Sequence, residues 1–184
     1  MKKSVSFCMT ALFLFGALSG CTTRPVTPQP TPTPQAFAIE VKVDKPAYKI
    51  GELMYITVRA SQACYLTLYD ISTVGEVTQI FPNRFAKDNK IQGGVAYRIP
   101  TDSDKFDFKV TGPAGIERVR AVGTMQNVNL FEEKQKQLDE DTSKVQVFPE
   151  ITDQPAQFEK NLNDQLSVIP SAQWTEASVT FQVQ

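Results

Sequence analysis

Apolar side chains recur at every second position after Ala36, and this two-residue period restricts the fold more than any other feature. In the segment 37–43 (FAIEVKV), every odd position is apolar and two of the three even positions are charged. A half-buried strand has this period because successive side chains point to opposite faces. Similar patterns predict further strands over residues 53–60, 64–70, 77–81, 95–99, 106–110, 116–123 and 177–183.

Turn-forming residues separate these segments at regular intervals. The clearest turn signals lie at residues 61–62, 73–76 and 111–115, the last of which reads Thr-Gly-Pro-Ala-Gly. Many short strands with regular turns favour two packed antiparallel sheets. The sequence therefore predicts a mainly β fold, specifically an antiparallel immunoglobulin-like β-sandwich of seven or eight strands.

Two later segments depart from the strand pattern. Residues 129–141 are heavily charged and compatible with a helix, so a solvated helix or loop is expected there, and the role of the whole segment 129–150 stays open. Residues 153–168 predict a helix inserted before the last strand, because Asp153 can cap it and Pro155 suits its first turn. Its apolar residues recur at helical spacing, at Phe158, Leu162, Leu166 and Ile169.

The N-terminus has the layout of a bacterial lipoprotein signal. Lys2 and Lys3 precede the mostly apolar segment 7–18, and small residues then lead to a cysteine. Residues 1–20 are therefore predicted to be a signal peptide, processed at Leu18, Ser19 and Gly20, with Cys21 as the lipidated residue. The alternatives are an ordinary signal peptide or an uncleaved anchor, but a transmembrane helix needs about 20 apolar residues.

Residues 21–35 predict a tether between the lipid and the folded part. The segment is rich in threonine and carries five prolines, at Pro25, Pro28, Pro30, Pro32 and Pro34. Such a sequence favours extended polyproline-like backbone, with a reach of roughly 40 Å at about 3.1 Å per residue. It either holds the domain near a distant partner or serves as a solubilising linker. Residues 36–184 are predicted to form a single β domain.

Charge and composition exclude several classes of function. The chain has 19 basic and 20 acidic residues, and removal of Lys2 and Lys3 with the signal peptide leaves a net charge of −3. No basic cluster is available for nucleic acid, so no nucleic-acid partner is expected. The chain contains no histidine, which excludes Ser-His-Asp and Cys-His hydrolases and histidine-ligated zinc. Cys64 lies in an apolar run and is expected to be a buried, inert thiol.

Two local features of the sequence are compatible with a binding site. Asp102, Asp104 and Asp107 have a spacing that could present oxygen ligands to calcium, but the glycine of a calcium loop is missing. A solvated strand entrance is the better interpretation, so neither a metal nor a cofactor is predicted. Trp174 could form a platform for a sugar, although a single tryptophan before a strand is more often part of a core.

A series of short motifs runs through residues 44–124. They are Tyr48-Lys49-Ile50-Gly51-Glu52, Cys64-Tyr65-Leu66, Gly75-Glu76, Ile80-Phe81-Pro82-Asn83, Ile91-Gln92-Gly93-Gly94, Ile99-Pro100 and Gly112-Pro113-Ala114-Gly115-Ile116-Glu117. Taken together, these motifs resemble the bacterial domain of unknown function 4384. The resemblance implies a β-rich accessory or interaction module of exported proteins and lipoproteins. It supplies no catalytic residues.

Two functions remain open on the sequence. The first is a non-catalytic module, anchored by lipid in the cell envelope, that binds a protein partner or an envelope polymer; a structural role in a secretion or surface assembly is a variant of it. Thr22, where an aspartate would favour inner-membrane retention, implies the outer membrane facing the periplasm, with surface exposure as an alternative. The second is an enzyme that acts on glycans through carboxylates alone, for which Glu52, Glu76 and Glu117 are candidates.

Overall fold

Strand pairing organises the described part of the chain into three sheets. The computed structural model describes residues 36–131 and 147–184, so the predicted signal peptide 1–20 and tether 21–35 lie outside it. The described residues contain twelve strands: β1 Ile39–Val43, β2 Ala47–Tyr48, β3 Leu53–Met54, β4 Ile56–Ala60, β5 Cys64–Ile71, β6 Val77–Phe81, β7 Lys90–Ile91, β8 Ala96–Ile99, β9 Phe108–Lys109, β10 Gly115–Thr124, β11 Glu150–Thr152 and β12 Trp174–Val183. They also contain the helix α1 (Pro155–Ser167) and a short 3-10 turn (Ser171–Gln173).

The largest sheet has the strand order β11-β6-β5-β10-β12-β2, and β7 pairs additionally with β5. A second sheet has the order β1-β4-β8, and β3 pairs with β9 in a third. All pairs are antiparallel except β12 with β2, which run parallel. The longest strands, β10 and β12, pair over ten residues each, and β10 lies between β5 and β12 in the largest sheet.

The main hydrophobic core lies between the largest sheet and the β1-β4-β8 sheet, whose edge strand β1 contacts both β10 and β12. Strand β4 contributes every second residue to it, and β5 and β10 do the same from the opposite side. The fully buried contributors from these strands include Ile56, Val58, Leu66, Leu68 and Val119.

A second core lies on the other face of the largest sheet, beneath α1. Successive strand residues point to opposite faces, so β5 places Leu68 in the main core and Tyr69 in this one. Phe158, Leu162 and Leu166 of the helix are completely buried here, as their helical spacing predicts. The helix prediction is confirmed, except that its N-cap is Gln154 and not Asp153.

An arginine joins the helix to the sheet at the edge of this second core. Arg120 of β10 forms ion pairs with Glu159 of α1 and, at 2.6 Å from Nη2, with Glu176 of β12. Its Nε also donates to Glu176, at 3.2 Å, so the guanidinium contacts two elements at once. This planar, multiply bonded arrangement orients α1 on the sheet.

The mainly β prediction is confirmed, but the strand count and the purely antiparallel pairing are wrong. The predicted strand 53–60 is interrupted at Tyr55, whose backbone N–H donates to Asp44 Oδ1 at 2.7 Å, so that β3 and β4 join different sheets. The predicted strand 106–110 is reduced to β9. The strands that sequence patterns missed, β2, β7 and β11, have only two or three residues, too few for a periodic signal.

The charged segment 129–150 is described only at its two ends. Leu130 is buried and Phe131 partly buried in the second core, whereas Val147 and Phe148 pack against the main core. The predicted helix or loop at 129–141 lies largely outside the described residues. The described ends attach this insertion to both cores.

Candidate functional site

A pocket of about 200 Å³ lies where β3 and β9 meet β5, β6 and β10. It borders the main core, since Met54, Ile80 and Phe108 belong to both. Its polar lining includes two carboxyl groups and two threonine hydroxyls. The lining residues are Met54, Asp70, Thr78, Ile80, Phe108, Lys109, Val110, Thr111, Glu117 and Phe148.

The two carboxyl groups, Asp70 on β5 and Glu117 on β10, are brought together by strand register. Asp70 is paired with Val119, so Glu117 is its diagonal neighbour on the same face of the sheet. Glu117 is only 6% exposed. The Oδ1 atom of Asp70 is fully buried and has no hydrogen-bond partner among the described residues. The pair therefore places two carboxyl groups in a pocket whose other lining residues are mostly apolar.

Burial raises the pKa of Asp70 well above its ordinary value, and the charges of Glu117 and Glu76 raise it further. Burial also raises the pKa of Glu117, although its hydrogen bond with Asp70 acts in the opposite direction. Two carboxyl groups can form a hydrogen bond only when one carries a proton. Because the pKa of Asp70 is raised more strongly, Asp70 is the member of the pair that takes up a proton first, and Glu117 is the member that carries the negative charge.

Two aromatic rings, those of Phe108 and Phe148, also line the pocket. The rings of Phe108 and Phe148 lie 5.7 Å apart between centroids, and Phe106 contacts both from the core side. Lys109 lines the rim and is exposed, and within residues 36–131 and 147–184 it forms no ion pair with Asp70 or Glu117. Among the described residues the acid pair therefore has no ion-pair partner, although Lys109 lines the same pocket.

Of the three glutamates predicted as candidates, the structure brings only Glu117 into the pocket. Glu52 is bound elsewhere, because its Oε2 accepts from Lys49 N at 3.1 Å and from Lys45 Nζ at 3.3 Å. Glu76 influences Asp70 electrostatically but does not line the pocket. Asp70 was missed, although it follows Cys64, Leu66 and Leu68 in the alternation of β5 and so occupies a core-facing position.

The side chains of Asp102, Asp104 and Asp107, the possible calcium ligands, do not point to one common site. Asp102 pairs with Arg98 at 3.0 Å, whereas Asp104 accepts the backbone N–H of Thr101 at 2.7 Å. Asp107 is exposed between two buried phenylalanines, as expected of a solvated strand entrance. Within the described residues, no group of three or more histidine, cysteine, aspartate or glutamate side chains could hold a metal ion.

Cys64, Trp174 and Asn83, the last residue of the Ile80-Phe81-Pro82-Asn83 motif, have structural roles. Cys64 is buried, and burial raises the pKa of its thiol to about 11, so it is protonated at neutral pH. Trp174 begins β12 and is partly buried against the second core. Asn83 ends β6 by donating to Ile80 O and accepting from the N–H groups of Phe85 and Ala86. None of the three lines the pocket.

The residues predicted for lipid attachment, Leu18, Ser19, Gly20 and Cys21, lie outside the described residues. In the ranges 36–131 and 147–184, no helix has the length and apolar character needed to cross a bilayer.

Comparison with known families gives one match. The model of a family described as a domain of unknown function (DUF4384) matches residues 36–127, which is half of the 184-residue chain. This match includes the resemblance found over residues 44–124. It also includes every residue that lines the pocket except Phe148. No curated protein and no solved structure matches the chain significantly.

Proposed function

This chain belongs to the DUF4384 family, and we propose that it is a lipid-anchored cell-envelope protein whose β domain binds a protein partner or an envelope polymer without catalysis. The observation that carries the binding role is the small pocket around Asp70 and Glu117, with its unpartnered carboxyl oxygen and aromatic wall. A buried charge with no described counter-ion favours association with a ligand that supplies one.

The size of the pocket supports binding of a small group over glycan hydrolysis, because about 200 Å³ is less than the roughly 300–1,000 Å³ of pockets for drug-sized ligands. A carboxylate enzyme remains the alternative, since two carboxyl groups with raised pKa values line one pocket.

We interpret the domain as an immunoglobulin-like β-sandwich with a helix added to its outer face. Support for this interpretation comes from the main core, which is enclosed between the β1-β4-β8 sheet and the largest sheet. In this arrangement the pocket lies at the border of the core, where the β3–β9 pair meets the largest sheet.

The location follows from the N-terminal sequence. We propose that residues 1–20 are removed, that Cys21 carries the lipid, and that residues 21–35 tether the domain to the outer membrane on its periplasmic face. Stable anchoring takes more than one acyl chain, which a fully acylated cysteine provides. The mature chain lacks a polybasic segment, so lipid and not charge would hold it at the membrane.

Replacement Cys21→Ser is expected to release the protein from the membrane fraction, because serine lacks the thiol that accepts the diacylglyceryl group. The measurement is fractionation of cells that express the full chain, with immunodetection in the membrane and soluble fractions. Cys64→Ser is the matched control and should leave the protein with the membrane, since Cys64 is buried in the domain. Full membrane retention of Cys21→Ser would refute the lipid anchor.

A photoreactive phenylalanine at Lys109, on the rim of the pocket, is expected to form a discrete adduct in intact cells. The same residue at Lys160, which is exposed on α1, serves as the control surface. Mass spectrometry of the Lys109 adduct identifies the partner as a protein or a polymer fragment. If neither position gives an adduct under conditions that crosslink a known envelope complex, the binding role is contradicted.

A further inference from the structure

We propose that the pocket around Asp70 and Glu117 receives the ammonium or guanidinium group of a lysine or arginine side chain from a protein partner. This inference deepens the proposed binding role and rests on it. It selects a protein over a polymer as the partner, and it names the chemistry that the partner must present.

The first argument is the state of the carboxyl oxygens. Glu117 is 6% exposed and Asp70 Oδ1 is fully buried, and that oxygen lacks a hydrogen-bond donor among the described residues. A buried acceptor without a donor costs roughly 1–3 kcal/mol, and more when it is charged. Ammonium and guanidinium groups carry only donors together with a positive charge, so they complement the acid pair that lines the pocket.

The second argument is the apolar part of the lining. Lysine and arginine have long aliphatic stems that pack on apolar surface while the charged end reaches a polar group. Met54, Ile80 and Val110 offer that surface. The rings of Phe108 and Phe148 would also attract a cation passing over their faces. A small inorganic cation has no aliphatic part that could pack on this apolar surface.

The third argument is size. Pockets for drug-sized ligands occupy roughly 300–1,000 Å³, whereas this one measures about 200 Å³. It therefore suits one side chain rather than a sugar chain or a nucleotide. Side chains inserted into such pockets at protein interfaces, arginine among them, carry a large share of the binding energy.

Lys109 of the chain itself is the internal competitor for the acid pair. It lines the pocket, but its Cε lies 3.8 Å from the position that a Cβ on Gly51 would occupy, which places the side chain over Gly51. Lys109→Met removes this competitor. We expect it to strengthen the binding of cationic ligands, because a competing positive charge is lost from the rim.

The direct test is titration of the full-length protein in detergent with amino-acid amides, followed by NMR. The probes are Nα-acetyl-lysine amide and Nα-acetyl-arginine amide, and Nα-acetyl-norleucine amide is the uncharged analogue. We expect at least one cationic probe to bind about tenfold or more tightly than norleucine amide, with shifts at Asp70 and Phe108. Glu117→Gln should reduce that affinity about tenfold or more. Glu40→Gln removes the same charge from an exposed site and should have no effect.

Equal binding of the norleucine and lysine probes, or unchanged affinity in Glu117→Gln, would overturn the proposal. Glu117→Leu provides a second variant that removes the same charge in case Glu117→Gln does not fold, and thermal unfolding verifies that each variant is folded. The in-cell adduct at Lys109 distinguishes failure of the binding role from failure of the cation pocket. If the adduct persists in Glu117→Gln, the binding role stands and the cation pocket is wrong. If the adduct is a polymer fragment, a protein side chain is excluded as the ligand.

Discussion

Phe158→Ala is expected to lower the free energy of unfolding by about 3–5 kcal/mol, because it opens a cavity beneath α1. Phe158 is completely buried and lies at the centre of an aromatic cluster. Its ring is stacked 5.5 Å from Phe131 and contacts Tyr69 edge-on at 5.0 Å between centroids. The neighbouring Leu162 is also fully buried and leaves little room for collapse around the truncated side chain.

Urea unfolding followed by circular dichroism measures this loss. Phe85→Ala is the matched control, since it deletes the same ring from a position that is 50% exposed. A change of at most about 0.5 kcal/mol is expected there. Equal losses in the two variants would mean that the helix is not packed on the sheet in solution.

Asp70→Asn is expected to stabilise the protein at neutral pH, by about 1–3 kcal/mol, and to flatten the dependence of its stability on pH. Burial raises the pKa of Asp70 in the folded state above its unfolded value. The contribution of such a group to the free energy of unfolding is fully present below the unfolded pKa, near 4, and is lost as pH rises through the folded pKa. The charged groups facing Asp70 are Glu117 and Glu76, with Lys109 at the rim.

Asparagine has no proton to lose, and its amide can still donate to Glu117. The measurement is urea unfolding of the wild-type chain and the variant between pH 4 and pH 9. The difference between the two should grow as pH rises. Parallel curves would contradict the burial of Asp70.

Asp44→Asn is an informative control because the expected sign is opposite. Burial raises the pKa of Asp44, but hydrogen bonds from Tyr48 Oη and the Tyr55 N–H outweigh it, so the pKa is lowered. The Asp44 carboxylate therefore stabilises the folded state above its unfolded pKa, and this stabilisation is lost as pH falls through the folded pKa. Asp44→Asn should therefore destabilise the protein at neutral pH, whereas Asp70→Asn stabilises it.

The elements that sequence patterns identified are those whose signal is local and long. Strand β4 alternates buried and exposed residues over its whole length, and the bounds of β6 were predicted exactly as observed. The helical spacing of Phe158, Leu162 and Leu166 predicted which face of α1 is buried. For β4 and α1, one face meets the core and the other meets solvent, so the sequence carries the corresponding period. Strand β6 is largely buried on both faces and was recognised from the turn signal before it.

The candidate site was only half visible in the sequence. Glu117 was named among three glutamates, but its partner Asp70 lies 47 positions earlier in the chain. The two meet because β5 and β10 pair in a register that no local pattern encodes. Phe148 reaches the same pocket from beyond the segment that the family match covers.

The sequence by itself determined the β class, the longer strands, the buried face of the helix and the family, since these depend on side-chain periodicity and short motifs along the chain. Only the tertiary structure decided which strands are neighbours, including the parallel pair β12–β2, and that two acids share one buried pocket. The physical reason is that pairing and burial between distant segments depend on the free energy of the whole packed arrangement. An acidic residue looks the same in the sequence whether it meets water or a second carboxyl group.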